Sequence, residues 1–101
     1  MDILKMMKEA GALQKSLTQA QAELKKIEVK GTASGGLVEV LMNAQGELKS
    51  VKIKKEAVDP SDVETLEDLV LCAFNDATKK ALSVSKEKLG KLTGGLNLPN
   101  L

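Results

Sequence analysis

The chain has 101 residues and a formal net charge of +1, and all fifteen of its basic residues are lysines. It contains no histidine, tryptophan or tyrosine, and Phe74 is its one aromatic residue. Without histidine, no side chain has an unperturbed pKa near neutrality, and neither a Ser-His nor a Cys-His nucleophile pair can form. The composition therefore predicts a protein that acts by binding, with no catalytic residues.

Length and motif content narrow the class further. A chain of about 100 residues forms one domain and buries only about two thirds of its unfolded surface, so we expect self-association to add stability. A single cysteine, with no signal peptide and no long apolar run, indicates a reducing cytoplasmic compartment and no membrane insertion. Cys72 lies in the apolar stretch Leu69–Phe74 and is expected to be a buried thiol. No clustered metal ligands and no glycine-rich nucleotide motif occur, so we expect no metal, no cofactor and no small-molecule substrate.

The first segment carries the clearest periodicity. Eight apolar residues follow one another at steps of three and four, namely Ile3, Met6, Ala10, Leu13, Leu17, Ala20, Leu24 and Ile27. This heptad spacing predicts a long helix with a narrow apolar seam, which suits packing against a second helix. Gly11 is the one weak helix former in the segment.

Three strands are predicted after this helix, at residues 28–33, 37–42 and 48–54. Turn sequences separate them, at 34–36 and 43–46, and these short connections predict an antiparallel meander. The second strand carries apolar residues on both faces, so we expect it to be the central strand. Its second face, with Leu37 and Leu41, is the predicted dimer interface.

A second long helix is predicted to begin between residues 59 and 64. Either Asp59 caps it with Pro60 in the first helical position, or Ser61 caps it with Glu64 closing a capping box, and we favour the second. The helix is expected to continue to about residue 89, and helix breakers without any period then predict a flexible tail over residues 91–101.

The prediction is thus a single α+β domain over residues 1–90, in the order helix, three-stranded antiparallel meander, helix (α-β-β-β-α). Each helix would be about 40 Å long, whereas a compact domain of this size has a radius of gyration of about 13 Å. The helices must therefore extend beyond the sheet. We expect their distal ends, residues 1–15 and 78–90, to pack on each other or on a second chain.

Charge is unevenly distributed along the second helix. Residues 56–76 contain seven acids and no lysine, whereas residues 79–91 contain five lysines and one glutamate. This polarity complements the helix dipole, and it also offers a contact for phosphate. If the helices pair antiparallel, lysines from both approach each other at the end of the arm. The predicted DNA-binding residues are Lys5, Lys8, Lys15, Lys79, Lys80, Lys86 and Lys88.

The type of basic residue indicates how DNA would be bound. Base-specific readout relies strongly on arginine, and single-strand binding relies on aromatic stacking, so neither is favoured here, although Asn and Gln could still read adenine. Lysine-to-phosphate attraction on double-stranded DNA is expected instead, with strong salt dependence and low sequence specificity. The alternative hypothesis is a helical adaptor, in which the heptad stripe docks a protein partner and DNA binding is insignificant.

Several runs of residues resemble one known family. The runs Gly35–Val40, Asp59–Ser61 and, most specifically, Leu66–Ala77 are similar to the YbaB/EbfC family of bacterial nucleoid-associated proteins. The resemblance covers nearly the whole chain, including the ending Leu96-Asn97-Leu98-Pro99. It implies a cytoplasmic, nucleoid-linked homodimer shaped like tweezers, whose paired helices project as arms and hold DNA.

Overall fold

The computed structural model describes residues 2–93. Two long helices flank a three-stranded sheet, with the bounds α1 (Ile3–Lys26), β1 (Glu28–Ala33), β2 (Val38–Asn43), β3 (Leu48–Ile53) and α2 (Val63–Thr93). The predicted α-β-β-β-α order is confirmed, and each strand boundary lies within one residue of its predicted position.

The sheet is antiparallel with the order β1-β2-β3, which confirms the central position predicted for the second strand. Side chains alternate between the two faces of each strand. Val38, Val40 and Met42 of β2 are completely buried on the face towards α2, and β1 adds Val29 and Ala33 to the same core. The strands thus contribute most of the larger side chains of the core, and α2 covers them.

Small residues bring α2 into direct contact with the sheet. Ala73, Ala77 and Ala81 are buried on the face of α2 that meets β1 and β2. Opposite them on β1 is Gly31, where an added Cβ atom would lie 2.7 Å from the Cβ of Ala77. That distance is far inside van der Waals contact, so the close packing of α2 depends on the absence of a side chain at this position.

The start of α2 differs from both predicted caps. A carboxylate oxygen of Asp62 accepts a hydrogen bond from the backbone N–H of Thr65 at 3.3 Å, which makes Asp62 the N-cap residue. Ser61 instead donates its hydroxyl to the carboxylate of Asp59 at 2.6 Å. The predicted caps at Asp59 and Ser61 are therefore wrong, because these two side chains bind each other in the loop before the helix.

The apolar seam of α1 is covered only in its second half. Residues 2–12 are all exposed, Leu13 and Leu17 are half-buried, and Ala20 and Leu24 are buried. The C-terminal part of α2 supplies this cover, since the two helices pack on each other. The first three turns of α1 extend past Thr93, the last described residue of α2, and we call them the bare arm tip.

The extended shape follows from these helices. The molecule measures 70 × 25 × 17 Å and has a radius of gyration of 19.3 Å, well above the roughly 13 Å of a compact domain of this length. α2 continues through Thr93, three residues into the predicted tail. The remainder of that predicted tail, residues 94–101, lies outside the described residues.

Cys72 is exposed, so the prediction of a buried thiol is wrong for the single chain. Its neighbour Leu71 is also exposed, whereas Ala73 is completely buried. Successive side chains of a helix point about 100° apart, so a continuous apolar run cannot be buried on one face. Part of the run Leu69–Phe74 therefore faces away from the sheet.

Candidate nucleic-acid interface

The predicted lysines of α1 are fully available at the arm tip. Lys5 and Lys8 lie on the bare part of the helix and Lys15 lies just beyond it, and all three are exposed. None of them has an ion pair within the described range 2–93. Their ammonium groups can therefore bind an external anion without breaking an internal contact.

Two lysines of α2 point away from the protein core. Lys79 stands midway in sequence between the buried Ala77 and Ala81, and two residues along a helix is more than half a turn. Lys86, seven residues further on, lies on the same outer face as Lys79. Both are exposed and have no ion pair in the part of the chain that the structure describes.

Lys80 is held at the edge of the sheet. Its Nζ donates a hydrogen bond to the backbone carbonyl of Lys30 at 2.8 Å and lies 3.2 Å from the carboxylate of Asp76. That carboxylate also accepts a hydrogen bond from the backbone N–H of Thr32 at 3.0 Å. The Thr32 hydrogen bond, followed by Lys80, lowers the pKa of Asp76, so the carboxylate stays ionised and keeps Lys80 in place.

Lys88 joins the two helices. It forms an ion pair with Glu23 of α1, and its side chain is only 31% exposed. A phosphate group would have to compete with this carboxylate. Of the seven predicted lysines, the structure thus leaves five free and engages Lys80 and Lys88 internally.

The structure does not gather these lysines into one patch. The helices run antiparallel, and Ser16 of α1 and Leu92 of α2 line the same depression. At 1.5 Å per residue, Lys79 lies roughly 20 Å to one side of this point and Lys5 roughly 16 Å to the other. The free lysines are therefore spread along roughly 35 Å of the molecule, from the part of α2 that packs on the sheet to the bare arm tip of α1, on the outer surfaces of both helices.

Acidic side chains mark the opposite end of α2. The residues that share this end are exposed carboxylates, and they include Asp62, Glu64, Glu67 and Asp68. These acids repel a polyanion locally, because interactions between exposed charges extend over about 10 Å at moderate salt. The exposed Lys52, Lys54 and Lys55 precede them in the chain and offset part of this repulsion. Along α2 itself, the charge gradient favours an anionic partner at the lysine-rich C-terminal part over the acidic N-terminal part.

A second candidate surface is apolar, and the sequence did not predict it. It is a depression of about 520 Å³ between β3 and α2, whose most exposed walls are Leu48, Val51, Ile53, Leu71 and Phe74. The signal for part of it was present in the sequence, because the alternation of β3 places Val51 and Ile53 on one face. Leu48 joins that face only because the pairing of β2 with β3 shifts register between Leu41 and Met42. What the pattern could not show is that α2 leaves this face uncovered.

The predicted dimer residues lie on the other side of the sheet. Leu41 is half-buried there, and no helix lines this face around it. Leu37 is also half-buried and lies in the turn just before β2. Lys30, Lys52 and Glu39 surround Leu41, so the leucine sits among charged side chains. The depression around Leu41 has a volume of about 210 Å³, whereas the depression between β3 and α2 has a volume of about 520 Å³.

Two further features are absent from residues 2–93. No helix there combines the length and the apolar composition that crossing a membrane requires. No three side chains of histidine, cysteine, aspartate or glutamate cluster there as metal ligands do.

Comparison with known sequences gives a consistent result. The sequence model of the YbaB/EbfC DNA-binding family matches residues 1–96. Proteins named nucleoid-associated protein from Bacillus thuringiensis (strain Al Hakam) and Bacillus cereus (strain AH187) are each 50% identical over 94 residues. The match covers 93% of this chain and 86% of each relative.

A solved structure shares the fold. The crystal structure of the uncharacterized protein HP0035 from Helicobacter pylori superimposes with a TM-score of 0.75, covering 95% of this chain and 97% of that chain. The sequence identity is 23%, so the likeness concerns the arrangement of helices and strands.

Proposed function

The chain belongs to the YbaB/EbfC DNA-binding family, as its sequence motifs predicted, and from this premise we propose that it is a nucleoid-associated protein that binds double-stranded DNA as a homodimer. The names of its relatives support this role and a place on the bacterial nucleoid in the cytoplasm. The family is defined by DNA binding and not by a reaction, which supports a function without catalysis.

The free lysines of the arm are the proposed DNA contacts. Lys5, Lys8, Lys15, Lys79 and Lys86 are exposed, lack internal ion pairs in the described residues and extend over roughly 35 Å. One turn of B-form DNA spans about 34–36 Å, so the spread of these lysines along the molecule is comparable to one turn of duplex. Each lysine that neutralises a phosphate releases counterions and gains affinity without reading the base sequence.

The apolar depression supports the homodimer. The chain exposes 7634 Å², whereas a compact monomeric protein of its mass exposes about 5,500 Å². Part of the excess is the bare arm tip, and another part is the wall of Val51, Ile53, Leu71 and Phe74. Exposed apolar surfaces of this kind mark interaction sites. We place the second copy here, and sedimentation at micromolar concentration should give twice the chain mass of 10.8 kDa.

Fluorescence anisotropy with a labelled duplex at several salt concentrations tests the DNA proposal. Binding should weaken steeply with salt, since the slope of log K against log salt is about −0.9 for each phosphate neutralised. Replacing Lys79 and Lys86 by Gln should lower affinity and reduce that slope by about two for each protomer that contacts the duplex. An unlabelled single strand of the same length should compete poorly with the duplex.

The matched control replaces Lys52 and Lys54 by Gln. These lysines are equally exposed and unpaired within residues 2–93, but they lie at the β3 end of the sheet. The double variant should leave the slope of log K against log salt unchanged. An equal loss of duplex affinity in the two double variants would show that DNA contact is not confined to Lys79 and Lys86. Absence of duplex binding even at low salt would favour the helical adaptor.

A further inference from the structure

The pairing of helices does not explain why a leucine stands at position 4, because Leu4 is exposed and lies outside the apolar seam. At 74% exposure it is the most exposed large hydrophobic residue of the described chain. The heptad seam runs through Ile3, Met6 and Ala10, and Leu4 stands outside it. A second helix packed on the seam would therefore leave Leu4 in water.

Leu4 shares its side of the helix with lysines. The steps from Leu4 to Lys8, Gly11 and Lys15 are four, three and four residues, which places all four on one face of α1. We call this face the basic column. Every member is exposed, and neither lysine has an ion pair among residues 2–93.

Gly11 supports a close approach to this face. A glycine inside a helix destabilises it by about 1 kcal/mol relative to alanine. No packing contact requires it, since an added Cβ would meet nothing within 4 Å, and its φ angle is not positive. Its lack of a side chain leaves a gap in the basic column between Lys8 and Lys15.

We propose, on the premise of the DNA-binding function above, that the basic column faces the duplex and that Leu4 makes an apolar contact inside the minor groove. Lys8 and Lys15 bind phosphates on either side of the gap at Gly11, where the helix backbone approaches the duplex. Leucine is among the residues that DNA-bending proteins insert between base steps. Leu4 therefore supplies binding and bending that do not depend on charge.

Charge on the column argues against other occupants. A second copy pairing through the same face would bring lysines against lysines, and the column contains no acid to offset them. An anionic surface satisfies both lysines at once. Duplex DNA is the anionic partner that the family identity supports.

The test compares Leu4→Gln with Met6→Gln in the intact protein. Met6 is also apolar and 53% exposed at the arm tip, but it belongs to the seam and not to the basic column. Leu4→Gln should lower duplex affinity roughly tenfold at every salt concentration without changing the salt slope. It should also reduce the bend measured by energy transfer between the duplex ends. Met6→Gln should alter neither quantity.

Other outcomes would overturn this inference. Equal losses from both variants would show a general effect of arm hydrophobicity, and a duplex that stays straight with the wild-type protein would exclude a wedge. Binding of wild type to phosphatidylglycerol vesicles that depends on Leu4, together with duplex binding that does not, would assign the column to a lipid surface. If the wild-type protein binds no duplex, that result contradicts the proposed DNA-binding function, and the inference about Leu4 falls with it.

Gly11→Ala gives an independent test, because its two expected effects have opposite signs. Alanine should raise the melting temperature, since it favours the helix, yet it should weaken duplex binding because its methyl group fills the gap. A variant that is more stable and binds at least as tightly would contradict close approach at this position.

Discussion

Within the part of the chain that the structure describes, α2 hydrogen-bonds through its side chains to the backbone of one edge strand, β1, but not to the other edge strand, β3. At β1, α2 supplies Asp76, which accepts a hydrogen bond from the N–H of Thr32 at 3.0 Å, and Lys80, which donates to the carbonyl of Lys30 at 2.8 Å. At β3, none of the hydrogen bonds found among residues 2–93 joins a side chain of α2 to the strand. The helix therefore closes one edge and leaves the other open.

An open strand edge with an uncovered apolar face is a liability unless something covers it. The difference between the edges is one of kind, because β1 combines capped backbone groups with buried side chains, whereas β3 exposes Val51 and Ile53 at 42% and 43%. We interpret the β1 edge as completed within the chain and the β3 edge as completed by a second copy.

The largest expected effect lies at the closed edge. Gly31→Val would place side-chain atoms against Ala77 and the backbone of α2, and it would force the helix off β1. Overpacking of this type destabilises by about 3 kcal/mol or more when backbone has to move. Thermal unfolding followed by far-ultraviolet circular dichroism should show loss of most of the cooperative transition.

Gly11→Ala is the control for Gly31→Val, because a methyl group at that helical glycine meets nothing within 4 Å. It should keep or raise the melting temperature. If Gly31→Val unfolds at the wild-type temperature, α2 does not pack on β1 as closely as described, and the contrast between the edges weakens.

The fold could be predicted because its signals are local. Heptad spacing and strand alternation act within a few residues, so they place α1 and the three strands to within about a residue. The end of α2 was placed less well, since the helix continues through Thr93 and not to about residue 89. The cap of α2 was less predictable, because Asp59, Ser61 and Asp62 all carry suitable oxygens. Only the path of the loop decides which oxygen meets the N–H of Thr65.

The candidate site was less predictable, because it depends on distant partners. The carbonyl that engages Lys80 lies fifty residues away in the sequence, and Glu23 reaches Lys88 only because the helices run antiparallel. From composition alone, Lys80 and Lys88 are equivalent to Lys79 and Lys86. Only the folded structure shows that Lys80 and Lys88 have internal partners. The uncovered face of β3 was unpredictable for the same reason. Alternation shows which side chains share a face of the strand, but not whether a distant helix packs on that face.

The next expected effect concerns the open edge. Replacing Val51 or Phe74 by Lys would place a charge in the apolar depression, and a lysine buried there without a partner opposes association. We expect the dimer to weaken roughly 100-fold, or about 2.8 kcal/mol, while each chain stays folded. Sedimentation across a concentration series measures the change.

Leu41→Lys is the matched variant on the opposite face of the sheet, where the sequence placed the dimer interface together with Leu37. It changes the same kind of side chain, half-buried among Lys30, Lys52 and Glu39. Unchanged association with Leu41→Lys and dissociation with Val51→Lys would locate the interface at β3 and α2. The reverse result would return it to Leu37 and Leu41.

The smallest expected effect comes from the charge that closes the β1 edge. Asp76→Asn keeps an oxygen that can accept from Thr32, but it removes the carboxylate that holds Lys80. The Thr32 hydrogen bond and Lys80 lower the pKa of Asp76, so its ionised form stabilises the fold above the unfolded pKa of about 3.9. That contribution is lost as the pH falls through the lowered folded value.

Asp76→Asn should therefore melt slightly below wild type at neutral pH, and the two melting curves should converge below about pH 4. The effect is small because water competes for a side chain that is 37% exposed. Asp68→Asn removes an exposed carboxylate from the same helix, away from any ion pair found within residues 2–93, and controls for the change in net charge. A difference between Asp76→Asn and wild type that persists unchanged into acid would mean that shape, and not charge, closes this edge.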